Sequence, residues 1–100
     1  MNLQAEERAE TAGRDGVQVR FTYLSTNEQV RFRVPAEQTV AAVWEQAYVE
    51  LGEARREADQ LQCADGTSLM GYLDLTLAQL HQQHICPNRR FEIRSETGGA

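Results

Sequence analysis

Lysine is absent from this 100-residue chain, and all ten of its basic residues are arginine. The amine of Met1 is therefore expected to be its only primary amine, and no lysine side chain can be acylated. Positive charge is also short in total, with a net charge of -5 and a pI near 4.9. That balance argues against a dedicated nucleic-acid binder, which releases counterions with an excess of basic groups. No apolar run is long enough to cross a bilayer, and the segment from Met1 to Arg14 is polar and acidic rather than leader-like, so a cytoplasmic protein is expected. There are only two cysteines, Cys63 and Cys86. They lack the short paired spacing of a zinc site and the density of a secreted scaffold, so reduced thiols are expected.

Several catalytic arrangements are missing as well. No nucleophile, base and orienter set stands out, nor a phosphate-cradling loop of the usual form, nor an acid pair in a clear pocket. The expectation is that the chain is not an enzyme. His81, His84 and Cys86 have a spacing that could suggest metal ligands, but Gln82 and Gln83 lie between them and no fourth ligand is evident. They read as surface side chains of a polar connection, and no metal is expected.

What is present falls into three parts. Residues 1–16 carry Glu6, Glu7, Glu10 and Asp15 without a sustained apolar period, and read as a flexible acidic extension. From Val17 the pattern turns to period two, with Val17, Val19, Phe21 and Tyr23 alternating with Gln18, Arg20 and Thr22. After the polar turn Ser25 to Glu28, Val30, Phe32 and Val34 alternate with Arg31 and Arg33 until Pro35, which completes a hairpin. Val40, Val43, Trp44, Ala47, Tyr48 and Leu51 then follow helical spacing, with Thr39 able to cap the start and Gly52 the end. Trp44 reads as a core anchor rather than a ligand platform.

Beyond a charged connection, Leu61 and Cys63 alternate with Gln62 in a short strand before the tight-turn pair Asp65-Gly66. Cys63 is expected in the core. Leu69 to Leu73 is read as an edge strand, Thr76 to Gln79 has capping-box spacing, and Phe91 and Ile93 alternate through a last strand. The domain spans residues 17–94, followed by a tail, residues 95–100, that ends Gly98-Gly99-Ala100. These runs imply an α+β fold, a mixed four- to five-stranded sheet with one main helix packed across one face.

This order of elements, with a diglycine directly after the last strand, resembles the ubiquitin-like β-grasp family over Val17 to Gly99. The pieces that carry the resemblance are Arg31-Phe32-Arg33-Val34-Pro35, the helix opening Thr39-Val40, the turn region from Leu61 to Leu69, Thr76-Leu77 and the terminal diglycine. The bacterial ubiquitin-like modifiers that accompany activating, conjugating and JAMM-type metallopeptidase enzymes look most similar. The resemblance implies a monomeric protein modifier that needs no cofactor of its own, since ATP and magnesium are used by the activating enzyme. Gly99 would be the residue activated and attached to an amine of a target protein, Gly98 its flexible partner, and Ala100 a cap removed by processing after Gly99.

The same fold also serves sulfur carriers, which usually end at the diglycine, and noncovalent interaction modules, in which the glycines are only a chain end. Thr97 stands where ubiquitin has an arginine before its glycines, so a dedicated activating enzyme is implied. Gln62 and Arg94 stand where the family exposes an aliphatic patch. Strand parity turns Arg20, Arg31, Arg33, Arg90 and Arg94 away from the helix side. Together with Gln62 and Thr97 they form the expected partner-binding set; a solvated face that merely keeps the chain soluble is the other reading of these arginines.

Overall fold

The computed structural model describes residues 16–95. Thr97, Gly98, Gly99 and Ala100, and the extension before Gly16, lie outside the described residues. Strand β1 (Gly16–Tyr23) pairs antiparallel with β2 (Glu28–Pro35), with Val19 opposite Phe32 and Phe21 opposite Val30. Gly16 pairs with Pro35 and belongs to β1, one residue ahead of the expected domain boundary. Helix α1 (Val40–Leu51) follows, then β3 (Gln60–Cys63), a 3-10 turn (Met70–Tyr72), helix α2 (Leu77–Gln82) and β4 (Arg90–Arg94). The described strands form a four-stranded mixed sheet, order β2-β1-β4-β3, with β1 and β4 parallel and the other pairs antiparallel. The sheet is open, and α1 is the main helix: an α+β architecture compatible with a β-grasp.

The helix begins where the sequence pattern places it. Thr39 Oγ1 accepts from the Ala42 amide at 3.2 Å, and Gly52 ends the helix at φ 74° while its N–H donates to Tyr48 O at 2.9 Å. That left-handed turn suits a residue without a Cβ. Val40, Val43, Trp44, Ala47 and Tyr48 are buried on one face of α1. They join a core with Val19, Phe21 and Tyr23 of β1, Leu61 of β3, and Phe91 and Ile93 of β4. Phe21 stacks on Phe32 at 5.8 Å and leans on Phe91 at 4.9 Å between ring centroids, so one aromatic row crosses three neighbouring strands. Trp44 is wholly buried, and truncating such a side chain typically costs about 3–5 kcal/mol. Thr76 and Gln79 close the expected capping box at 2.8 and 3.1 Å.

Two expectations fail. Leu69 to Leu73 is not an edge strand: ladder pairing beside β3 stops at an isolated Gln62–Ser68 bridge, Leu69 N still donates to Leu61 O at 2.9 Å, and the segment then curls into the 3-10 turn. Its carbonyls have another use, because Leu73 O and Leu75 O accept from the Ala41 and Val40 amides at 3.0 and 2.8 Å. Those amides open α1 and have no partner inside the helix, so the passing chain satisfies them instead of extending the sheet. The thiols are not reduced either. Cys63 and Cys86 form a disulfide across 23 residues with their Cα atoms 5.6 Å apart. Antiparallel pairing of β3 with β4 sets Cys63 opposite Phe91, beside the loop that holds Cys86. Cys63 is buried as expected, but its sulfur is bonded rather than packed as a free hydrophobe.

Candidate functional site: an arginine-lined concavity on the open sheet face

Burial alternates along β1, so Gln18, Arg20 and Thr22 turn away from the α1 side while Val19, Phe21 and Tyr23 enter the core. Arg31 and Arg33 are exposed on β2, and Arg90 and Arg94 on β4. Register decides which of these meet. Arg20 lies directly opposite Arg31 on β2 and beside Arg90 on β4, so one row holds three arginines on adjacent strands. Arg33, two residues along β2, faces Gln18 and donates from Nη2 to Gly16 O at 3.1 Å.

Arg94 is separate, four residues beyond Arg90, or about 13 Å along an extended strand. Between them Glu92 accepts a 2.8 Å hydrogen bond from Gln62 Nε2. On this face the arginines are unevenly spaced: Arg20, Arg31 and Arg90 gather, Arg33 flanks them, and Gln62 and Arg94 occupy the β3 side.

Where the gathered arginines meet the loop before β4, the surface sinks into a concavity of about 320 Å³. Among the described residues its polar lining is Gln18, Arg20, Arg31, Asn88, Arg89 and Arg90, with no carboxylate. The guanidiniums of Arg20, Arg31, Arg89 and Arg90 make no ion pair or side-chain hydrogen bond among the described residues. Arg20 Nε is also buried without a hydrogen-bond partner.

Arg89 and Asn88 belong to this site, and the sequence pattern misses both. Extending the β4 alternation backwards would send Arg89 toward the core, but its φ of 55° breaks the alternation. Cys86 and His84 share this left-handed geometry at φ 50° and 60°. Non-glycine residues rarely adopt it unless their surroundings hold them there. Here the holding groups are visible: Arg89 N donates to Cys86 O at 3.0 Å, Arg90 N to Asn88 Oδ1 at 3.0 Å and Arg20 N to Arg89 O at 3.1 Å, and Cys86 is tied to β3. The one available sequence signal was Pro87-Asn88, which marks a turn without fixing its hand.

A second polar cluster lies inside the protein. Trp44 Nε1 donates to the Tyr48 hydroxyl at 3.1 Å, and that hydroxyl donates to Asp59 Oδ2 at 2.7 Å. Asp59, 2 % exposed, also accepts the Arg56 amide at 3.1 Å. Burial first, and then the Asp59 carboxylate, push the Tyr48 phenol well above its ordinary range, so it serves as a fixed donor. The Arg55 guanidinium lies 4.0 Å from the Trp44 ring centroid and pairs with Glu45. This cluster fastens the connection after α1 to the helix.

Of the residues weighed for a metal, Cys86 is committed to the disulfide, and the described residues hold no group of three or more potential ligands. Among them, too, no helix is long and apolar enough to cross a membrane. Fold and site together define a small α+β domain with one covered and one open, arginine-bearing sheet face. No protein-family model matches the chain, and no curated protein matches it significantly.

Proposed function

We propose that the chain is a ubiquitin-like protein modifier, a substrate of enzymes rather than a catalyst. A JAMM-type metallopeptidase hydrolyses the Gly99–Ala100 bond. An activating enzyme then joins the Gly99 carboxylate to the α-phosphate of ATP, with magnesium, and releases pyrophosphate. An enzyme thiolate displaces AMP to give a thioester, a conjugating enzyme takes over the acyl group, and a target amine attacks it to form an amide and release the thiol. Gly99 leaves both faces of its reacting carbonyl open because it carries no Cβ, and Gly98 places no side chain beside it.

The observation that carries this reading is the position of β4. The strand that leads into Ser95 is an interior strand, hydrogen-bonded to β1 on one side and β3 on the other. A terminus that follows such a strand starts from a point fixed on both sides. The four residues after Ser95, from Glu96 to Gly99, would reach about 14 Å if fully extended, enough to enter a narrow channel. The arginine face supplies the docking surface for an acidic patch on the activating or conjugating enzyme, through Arg20, Arg31, Arg33, Arg90 and Arg94, with Gln62 and Thr97.

The reading implies a monomer in the cytoplasm, where thiol pools reduce accessible disulfides. Cys63 and Cys86 are 1 % and 5 % exposed, which shields the bond from an attacking thiolate. Intact mass spectrometry of the protein from its native cell tests the proposal. Loss of one alanine together with larger covalent adducts is the expected result. An added sulfur would point to a carrier, and an unmodified chain to a noncovalent module; either refutes the modifier.

A further inference from the structure

We infer that the concavity between β2, β1 and the loop before β4 is an oxyanion site that takes a phosphate-bearing small ligand. The argument begins with charge. Arg20, Arg31, Arg89 and Arg90 converge on one hollow whose other polar lining, Gln18 and Asn88, is neutral. The nearest acid along β4, Glu92, is two residues beyond Arg90 and is engaged by Gln62. Like charges gathered with no counter-charge among the described residues repel one another, and a ligand carrying two or more negative charges relieves this where a single carboxylate relieves only part.

The second step is the unspent donor. Buried N–H groups nearly always have a partner, yet Arg20 Nε has none among the described residues. It belongs to the central residue of the row, with Arg31 on one side and Arg90 on the other. Planar guanidinium forks match phosphate oxygens two at a time. A volume of about 320 Å³ lies at the small end of ligand pockets, suited to one or two phosphoryl groups with little besides.

The third step is preorganisation. The left-handed turn at Arg89 brings its side chain to the hollow, and the Arg89–Cys86 and Arg90–Asn88 hydrogen bonds with the disulfide hold that turn before any ligand arrives. Part of the ordering cost of binding is thereby met in advance. The inference is independent of the fate of the C-terminus.

The experiment is an amide and arginine side-chain NMR titration of the full chain, oxidised, with inorganic phosphate, pyrophosphate, a nucleoside diphosphate and acetate. Saturable shifts centred on the Arg20 Nε–H, Arg31, Arg89 and Arg90 are expected, with pyrophosphate binding tighter than phosphate and acetate much weaker. Equal affinity for pyrophosphate and the nucleoside diphosphate identifies free phosphates as the ligand source; tighter binding of the nucleotide identifies a nucleotide. Arg20→Gln should weaken pyrophosphate binding about tenfold or more. Arg89→Gln, in the loop, should do the same without altering the strands, so a folding defect at Arg20 does not decide the matter. Arg56→Gln, in the connection after α1, should change nothing. Absence of saturable binding, acetate binding as tightly as pyrophosphate, or equal affinity in the Arg89→Gln protein would each overturn the inference.

Discussion

Reduction of the Cys63–Cys86 bond is the cleanest perturbation this fold offers, because it removes one covalent constraint and leaves both sulfurs in place. The bond closes a loop across a sequence separation of 23. On the chain-entropy account, releasing such a loop returns about 3 kcal/mol of conformational freedom to the unfolded chain at 25 °C. Small domains are stable by about 5–15 kcal/mol, so the loss is a large share of the total. With a urea slope of about 1–1.5 kcal/mol/M for a chain of this size, the unfolding midpoint should fall by about 2–3 M.

The assay is urea unfolding followed by Trp44 fluorescence, with and without reductant, after a thiol titration in denaturant establishes that the oxidised sample has no free thiol. A midpoint shift below about 0.5 M would refute the argument. It would mean that the unfolded chain gains little freedom, or that Cys63 and Cys86 are not joined in the folded protein. The reduced protein should also bind pyrophosphate more weakly, since Cys86 then no longer fixes the turn that presents Arg89.

Tyr48→Phe should cost about 2–3 kcal/mol in the same assay, because it leaves the buried Asp59 without its hydroxyl donor and Trp44 Nε1 without its acceptor; a cost under about 0.5 kcal/mol would contradict the buried network. Because folding raises the phenol's pKa, the Tyr48 contribution is present in full below its ordinary value of 10.0 and fades as the pH climbs beyond it, an alkaline loss that Tyr48→Phe should abolish. Asp65 behaves oppositely: the Thr67 amide, donating at 2.9 Å, lowers its pKa, so the turn is held above the ordinary value of 3.8 and loosens as acid titrates the folded carboxyl, measurable as loss of Thr67 amide protection. Replacing Arg31 and Arg33 together with serine should slow adenylation by the cognate activating enzyme about tenfold or more while the fold stays intact; unchanged activation would sink the docking role.

The elements most legible in the sequence were those whose signals are local. The hairpin, α1 with its Thr39 and Gly52 caps, and the Thr76–Gln79 box each rest on residues within a few positions of one another. The misreadings share a different cause. Leu69 to Leu73 has strand-like composition, yet its neighbouring carbonyls are drawn to the open end of α1, a partner some thirty positions earlier in the chain. Cys63 and Cys86 lie too far apart for spacing to pair them, and only the β3–β4 register brings them together. At the arginine site, parity located Arg20, Arg31 and Arg90, because strand alternation is a simple rule. It could not locate Arg89, whose direction depends on a single backbone angle outside the strand.

The parallel pairing of β1 with β4 also determines how the domain answers to force. The described chain enters the sheet at Gly16 and leaves it after Arg94, at opposite ends of two neighbouring parallel strands. Tension between those ends slides the strands past one another, and their hydrogen bonds resist together instead of opening one by one. A machine that pulls on the end following β4 therefore meets its greatest resistance at the first strand. Once β4 has yielded, an oxidised chain passes the tension from Cys86 straight to Cys63. The segment between them, with α2 and the 3-10 turn, then carries no tension until the sulfurs part.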